Sequence, residues 1–197
     1  MNPKIEALID EIEAMKKRLS DEIDEHEKNI SYEIHNGYVR FEQDVLEKQK
    51  EEMKHLWMYL KEVPLIHFVV APLIYAMVIP AVILDLALFV YQKIVFRVFK
   101  FQSIKRSDYM VYDRHFLQYL NPIEKLNCVY CSYFNGLMHY AAAIAGRTEL
   151  YFCPIKHAKK IAYTHEHYPK YFAYGDGQKY QERLEVLRQN SEVIPQA

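Results

Sequence analysis

Glycine is scarce in this chain, with five residues in 197. Phosphate-cradling loops and dinucleotide folds need closely spaced glycines that let the backbone approach a ligand, and no such run occurs. The Gly-x-Ser-x-Gly nucleophile turn and the His-Glu-x-x-His zinc helix are missing as well. Charge of one sign is also lacking: 25 Lys plus Arg against 26 Asp plus Glu leave a net -1. That balance has no basic footprint for nucleic acid, so no nucleic-acid partner is expected. There are only three cysteines, an odd number that suits metal ligation better than a closed set of disulfides. At 51% hydrophobic and 26% charged, the composition is not that of a disordered chain.

The near-zero total hides a division. Residues 1–62 carry 16 acidic and 10 basic side chains, whereas the remainder carries 10 and 15. Three parts follow: an acidic helical arm over 1–62, a membrane segment with an interfacial helix over 63–101, and a tyrosine-rich Cys/His region over 102–197. In the arm, Ile5, Leu8, Ile9, Ile12, Met15, Leu19 and Ile23 recur at three- and four-residue steps, the pattern of an amphipathic helix. Asn2 and Pro3 suit its start. Asn36-Gly37 marks a break, and Phe41, Val45, Met53, Leu56 and Leu60 suggest a second helix from Tyr38 to Glu62. The arm is expected to be a helical hairpin or a subunit-contact coiled coil.

From Val63 to Leu84 no side chain carries a fixed charge, and Leu65–Leu84 supplies the roughly 20 apolar residues that a bilayer crossing needs. Trp57 and Tyr59 precede it at headgroup-level positions. Lys93, Arg97 and Lys100 follow at i, i+4 and i+7 among Ile94, Val95, Phe96, Val98 and Phe99, which fits an interfacial helix with cationic tips among lipid headgroups. Both flanks of the segment are basic. A re-entrant segment kinked at Pro72 or Pro80 reconciles them, and a single tilted span is the alternative. The C-terminal region is expected to be cytoplasmic. Asp85 is out of place in such a run and needs a partner; Lys93 and His67 are the candidates.

The strongest chemical signal is Cys128-Val-Tyr-Cys131 followed by Cys153-Pro-Ile-Lys-His157. Two thiolates on a tight turn and a second Cys/His pair can fill a tetrahedron, so Cys128, Cys131, Cys153 and His157 are read as a structural zinc site. Iron or an iron–sulfur cluster is the other metal reading. His139, His165 and His167 are further candidate ligands, and Glu149 could orient a ligand histidine. Helices are expected over 134–147 and 178–189, with irregular chain between them. Twelve of the 17 tyrosines fall between Tyr109 and Tyr180, suited to surfaces half apolar and half wet. Lys156, Lys159 and Lys160 form a basic patch for lipid or an acidic partner. The sequence thus predicts an all-α, oligomeric membrane scaffold or adaptor with a zinc site, contacting lipids and a further copy or a membrane-protein partner. A membrane metalloenzyme or an iron electron carrier is the competing reading.

Overall fold

The computed structural model describes residues 3–27, 32–35, 38–41 and 43–190. The fold is predominantly helical: α1 (Pro3–Glu27), α2 (Gln43–Glu51), α3 (Leu56–Glu62), α4 (Leu65–Ala76), α5 (Val78–Tyr91), α6 (Pro122–Phe152) and α7 (Tyr180–Asn190), with one two-stranded ribbon, β1 (Tyr32–His35) and β2 (Tyr38–Phe41). The chain divides into two compact units. One comprises Met1–Val69 with Tyr112–Tyr130, the other Val70–Val111 with Cys131–Ala197.

In the first unit, α1 follows the expected amphipathic run. The proposed capping residue Asn2 lies outside the described residues, as does the Asn36-Gly37 break signal. The second arm helix is not as expected. β1 and β2 pair antiparallel with His35 opposite Tyr38, and the following helical chain is split into α2 and α3. The physical reason is local: Asn-Gly flanked by alternating aromatic and β-branched residues is a strong hairpin signal. After the apolar segment the chain returns to this unit, where the Gln118 backbone N–H donates to Gln49 Oε1 at 3.0 Å. Helix α6 opens here on a reciprocal cap. Asn121 Oδ1 accepts from the N–H groups of Ile123 (3.0 Å) and Glu124 (3.1 Å), and Glu124 Oε2 accepts from the Asn121 N–H at 2.9 Å. Pro122 takes the first helical position, where its missing N–H costs nothing.

The apolar segment is one helix of 32 residues, Leu65–Phe96, long and apolar enough to cross a membrane. It continues through Pro72 and Pro80 and ends in a π-helical turn, Gln92–Phe96. The chain therefore does not reverse at either proline, and of the cationic row Lys93 lies within this helix, Arg97 caps its end and Lys100 lies past it. Beyond it, Lys100 takes a left-handed φ of 56°, and the Phe101 N–H closes back on the Phe96 carbonyl at 2.8 Å.

In the second unit, the later part of this helix packs against α6. Asp85 accepts a 3.1 Å hydrogen bond from the Tyr133 hydroxyl, Gln92 Oε1 accepts one of 3.3 Å from the Tyr140 hydroxyl, and Phe99 meets Tyr151 and Phe152 at centroid distances of 5.5 and 5.0 Å. Partners on both helices ascend together in number, so the helices run parallel. Asp85 also pairs with Arg106, not with Lys93 or His67. Lys93 lies eight residues further along the helix, roughly 12 Å in axial rise, while the loop after Phe101 brings Arg106 alongside. Buried Phe96, Phe101, Ile104, Leu137, Tyr140 and Ile144 form the core of this unit.

Gly136 marks the tightest approach. A Cβ there would lie 2.6 Å from the Tyr109 carbonyl oxygen, and a backbone atom cannot swing aside. Gly136→Ala is expected to destabilise the protein by about 1–3 kcal/mol. Thermal unfolding beside Gly177→Ala, whose added methyl meets nothing within 4 Å, checks this; equal midpoints would contradict the packing.

Candidate functional site

The proposed metal ligands fall at separate places. Cys128 and Cys131 sit inside α6, not on a tight turn, and the helix starts twelve residues earlier than the expected Phe134. Cys131 and the end of α6 at Phe152 are 21 residues apart, about 32 Å of helix at 1.5 Å per residue. Cys153 follows that end, stopped by Pro154, whose ring disfavours helix at the preceding residue. The Cys3His quartet is therefore not assembled within one chain here. Among the described residues no group of three or more His, Cys, Asp and Glu side chains is arranged to hold a metal ion. His157 is exposed, its N–H bonded to the Tyr168 hydroxyl at 2.8 Å and its ring stacked on that tyrosine.

What the structure does bring together is a cluster at the C-terminal end of α6. The chain from Cys153 to Phe172 folds back and is closed by paired backbone bonds, Lys156 N–H to Phe172 carbonyl and Phe172 N–H to Pro154 carbonyl, both 2.8 Å. This excursion delivers His165 onto Gly146, where a Cβ would come within 2.8 Å of the imidazole. His165 Nδ1 accepts the His167 N–H at 3.2 Å, which places the ring proton on Nε2. That proton faces Glu149 Oε2 at 3.0 Å, with the Tyr171 oxygen 3.1 Å from the same nitrogen. Tyr171 donates to the Gly146 carbonyl at 3.2 Å. Burial, reinforced by the nearby Glu149 charge, pushes the Tyr171 phenol far up, so it stays a neutral donor. Glu149 thus contacts the His165 ring, both of whose nitrogens are occupied, so the ring is positioned rather than free.

Beside this cluster lies a cavity of about 150 Å³, lined by His139, His165, Glu166, His167, Tyr109 and Tyr163 among others. The three histidines weighed as extra ligands thus share one space. His139 is exposed on α6, whereas His167 is 12% exposed at its side chain, with Nε2 3.3 Å from Glu166 Oε1. That contact lacks hydrogen-bond alignment, and among the described residues the buried Nε2 has no hydrogen-bond partner. An unsatisfied buried nitrogen costs about 1–3 kcal/mol, which favours water or a small polar guest in the cavity.

Of the other sequence candidates, His67 is exposed on α4, and Lys159 and Lys160 are exposed in the excursion after Pro154, with Lys156 half-buried. Lys93, Arg97 and Lys100 together line a wider cavity at the end of the long helix. Compared with family models, curated proteins and solved structures, the chain matches none.

Burial lowers the His167 pKa below its ordinary 6.5, partly opposed by Glu166 and assisted by His165, Lys170 and Arg147. A depressed histidine is neutral in the fold while the unfolded chain takes up a proton, so this contribution to stability is complete above about pH 7.5 and is lost progressively as pH falls below 6.5 toward the lower folded value. His167→Gln should therefore flatten the decline in thermal midpoint between about pH 7.5 and 5. Parallel pH profiles for the variant and wild type would contradict this.

Proposed function

We propose that this chain is a monotopic membrane scaffold: the long apolar helix lies in one leaflet, with both of its flanks on the cytoplasmic side, and the N-terminal arm joins copies. The observation that carries the reading is the exposed apolar stripe. Leu65 is 83% exposed, Val69 72% and Leu73 71%, and Ile79, Ile83, Leu86, Val90, Ile94 and Val98 are exposed as well. Nine such side chains at partial exposure are worth on the order of 10 kcal/mol when removed from water. That exceeds the roughly 5 kcal/mol supplied by a single myristoyl chain.

Two observations favour lying in the leaflet over crossing it. Gln49, ahead of the helix, bonds to Gln118, well beyond it. A helix that crossed would separate those residues unless the connection returned through hydrocarbon. That connection is irregular and carries Lys105, Arg106, Asp108, Asp113 and Arg114, and charged, non-helical backbone is excluded from lipid. Basic residues on both flanks fit the same-side topology. The helix reaches it by lying flat, without the bend at a proline that the sequence suggested.

Scaffolding draws support from α1. Leu8, Ile12, Met15 and Leu19 are exposed and spaced four, three and four apart, the a/d seam of a coiled coil, with Glu11 and Arg18 at flanking positions. The Cys3His zinc site forms no part of this reading, because α6 holds Cys131 and Cys153 apart. A membrane-bound enzyme is the second reading, favoured by His167, which lies beside its cavity and whose Nε2 has no hydrogen-bond partner among the described residues.

The full chain should stay with membranes through alkaline carbonate, and tags at its two termini should be protected or exposed together in intact cells. Tags on opposite faces would overturn the topology. In mild detergent, Ile12→Glu with Leu19→Glu should reduce the particle mass to that of one chain while membrane retention is kept; an unchanged mass would remove the arm from assembly.

A further inference from the structure

We infer that the cavity at the end of the long helix is a binding site for the phosphate headgroup of an anionic phospholipid. This rests on the membrane reading above and gives it a lipid specificity. The cavity is about 480 Å³, and Lys93, Arg97 and Lys100 line it together with Phe89 and Ser103. Three cations therefore share one concavity, and no acidic residue occurs from Leu86 through Ser107 to neutralise them. Arg106, the next arginine, is committed to Asp85. Gln92 is committed as well, donating to the Ile104 carbonyl at 3.1 Å and accepting from Tyr140 at 3.3 Å.

The cavity has the two-part chemistry of a lipid rather than of a free anion. Lys93 Nζ stands 5.6 Å from the centroid of the Phe89 ring, so its ammonium tops an apolar wall. Ile94 and Val98, at the end of the exposed stripe, lie next in sequence to Lys93 and Arg97 and offer acyl chains an adjacent surface. The backbone supplies a further sign. Lys100 adopts a left-handed φ of 56°, a conformation that glycine takes without penalty and that costs other residues about 1–3 kcal/mol. A lysine at that position, lining the cavity, puts a third cation where backbone economy alone would put none. Cations near an anionic surface each add to lipid attraction, and phosphate oxygens accept readily from guanidinium and ammonium donors.

The test uses the purified full chain in neutral detergent, titrated with phosphatidylglycerol, phosphatidylcholine, glycerol phosphate or inorganic phosphate, with binding read by native mass spectrometry. Wild type should prefer phosphatidylglycerol over phosphatidylcholine about tenfold, and neither soluble phosphate should compete at equal concentration. Lys93→Gln, Arg97→Gln and Lys100→Gln together should bring the preference below about twofold. Lys100→Gly, which relieves the backbone while removing one cation, should lower it severalfold in a chain at least as stable. Lys16→Gln, Lys17→Gln and Lys179→Gln, which remove equal charge at exposed positions elsewhere, should leave it unchanged. No preference in wild type, an equal loss in that control, or competition by glycerol phosphate or inorganic phosphate would overturn the site. Carbonate-resistant retention without headgroup preference would defeat this site alone, whereas loss of retention would defeat the anchor beneath it.

Discussion

A helix that is apolar around most of its surface calls for cover, and within one chain only part of this one is covered. From Asp85 onward α6 lies along one side and supplies partners for each polar group there, Tyr133 for Asp85 and Tyr140 for Gln92. Those bonds fix which side faces protein, because a carboxylate or amide without a partner in such surroundings is costly. The opposite side keeps its leucines, isoleucines and valines in the open. Every functional statement about the chain depends on that asymmetry.

The histidine cluster depends on the same helix pairing through a different device. Gly146 lets the His165 ring reach α6, and the backbone N–H of His167 and the Glu149 carboxylate then fix its tautomer. The excursion from Cys153 to Phe172 is closed by only two backbone bonds, so its placement draws on side chains: Tyr171 buried against Gly146, and the Arg183 guanidinium 4.5 Å over the Phe172 ring. The result is a positioned imidazole and, beside a small cavity, a second one whose Nε2 has no hydrogen-bond partner among the described residues. That arrangement can hold a polar guest, and it owes nothing to the cysteines.

Patterns that repeat were legible in the sequence; pairings that do not repeat were not. The stripe of α1, the apolar run from Leu65 and a helix near Tyr180 all follow from periodicity and survive in the structure. Asp85 was recognisable as needing a partner, but Arg106 is 21 residues away through irregular chain, which no spacing rule reaches. The cysteine spacing leaves the local structure open, because Cys-x-x-Cys fits one helical turn as readily as a metal knuckle, and Cys128 and Cys131 lie in α6. The better guide was Asn121-Pro122-Ile123-Glu124, a capping box that sets the start of α6 and so carries Cys128 and Cys131 into a helix. In the same way the alternation on either side of Asn-Gly signalled a ribbon, where the residues from Tyr38 were read as the start of a helix.

The flat orientation of the long helix is the claim on which the account stands, and depth measurement tests it most directly. Spin labels at Val69, Ile83 and Ile94 of the full chain in vesicles would report immersion through their relative exposure to oxygen and to a water-soluble relaxation agent. A helix lying flat gives three similar, shallow depths. A progression from one headgroup region through the bilayer centre to the other would contradict it.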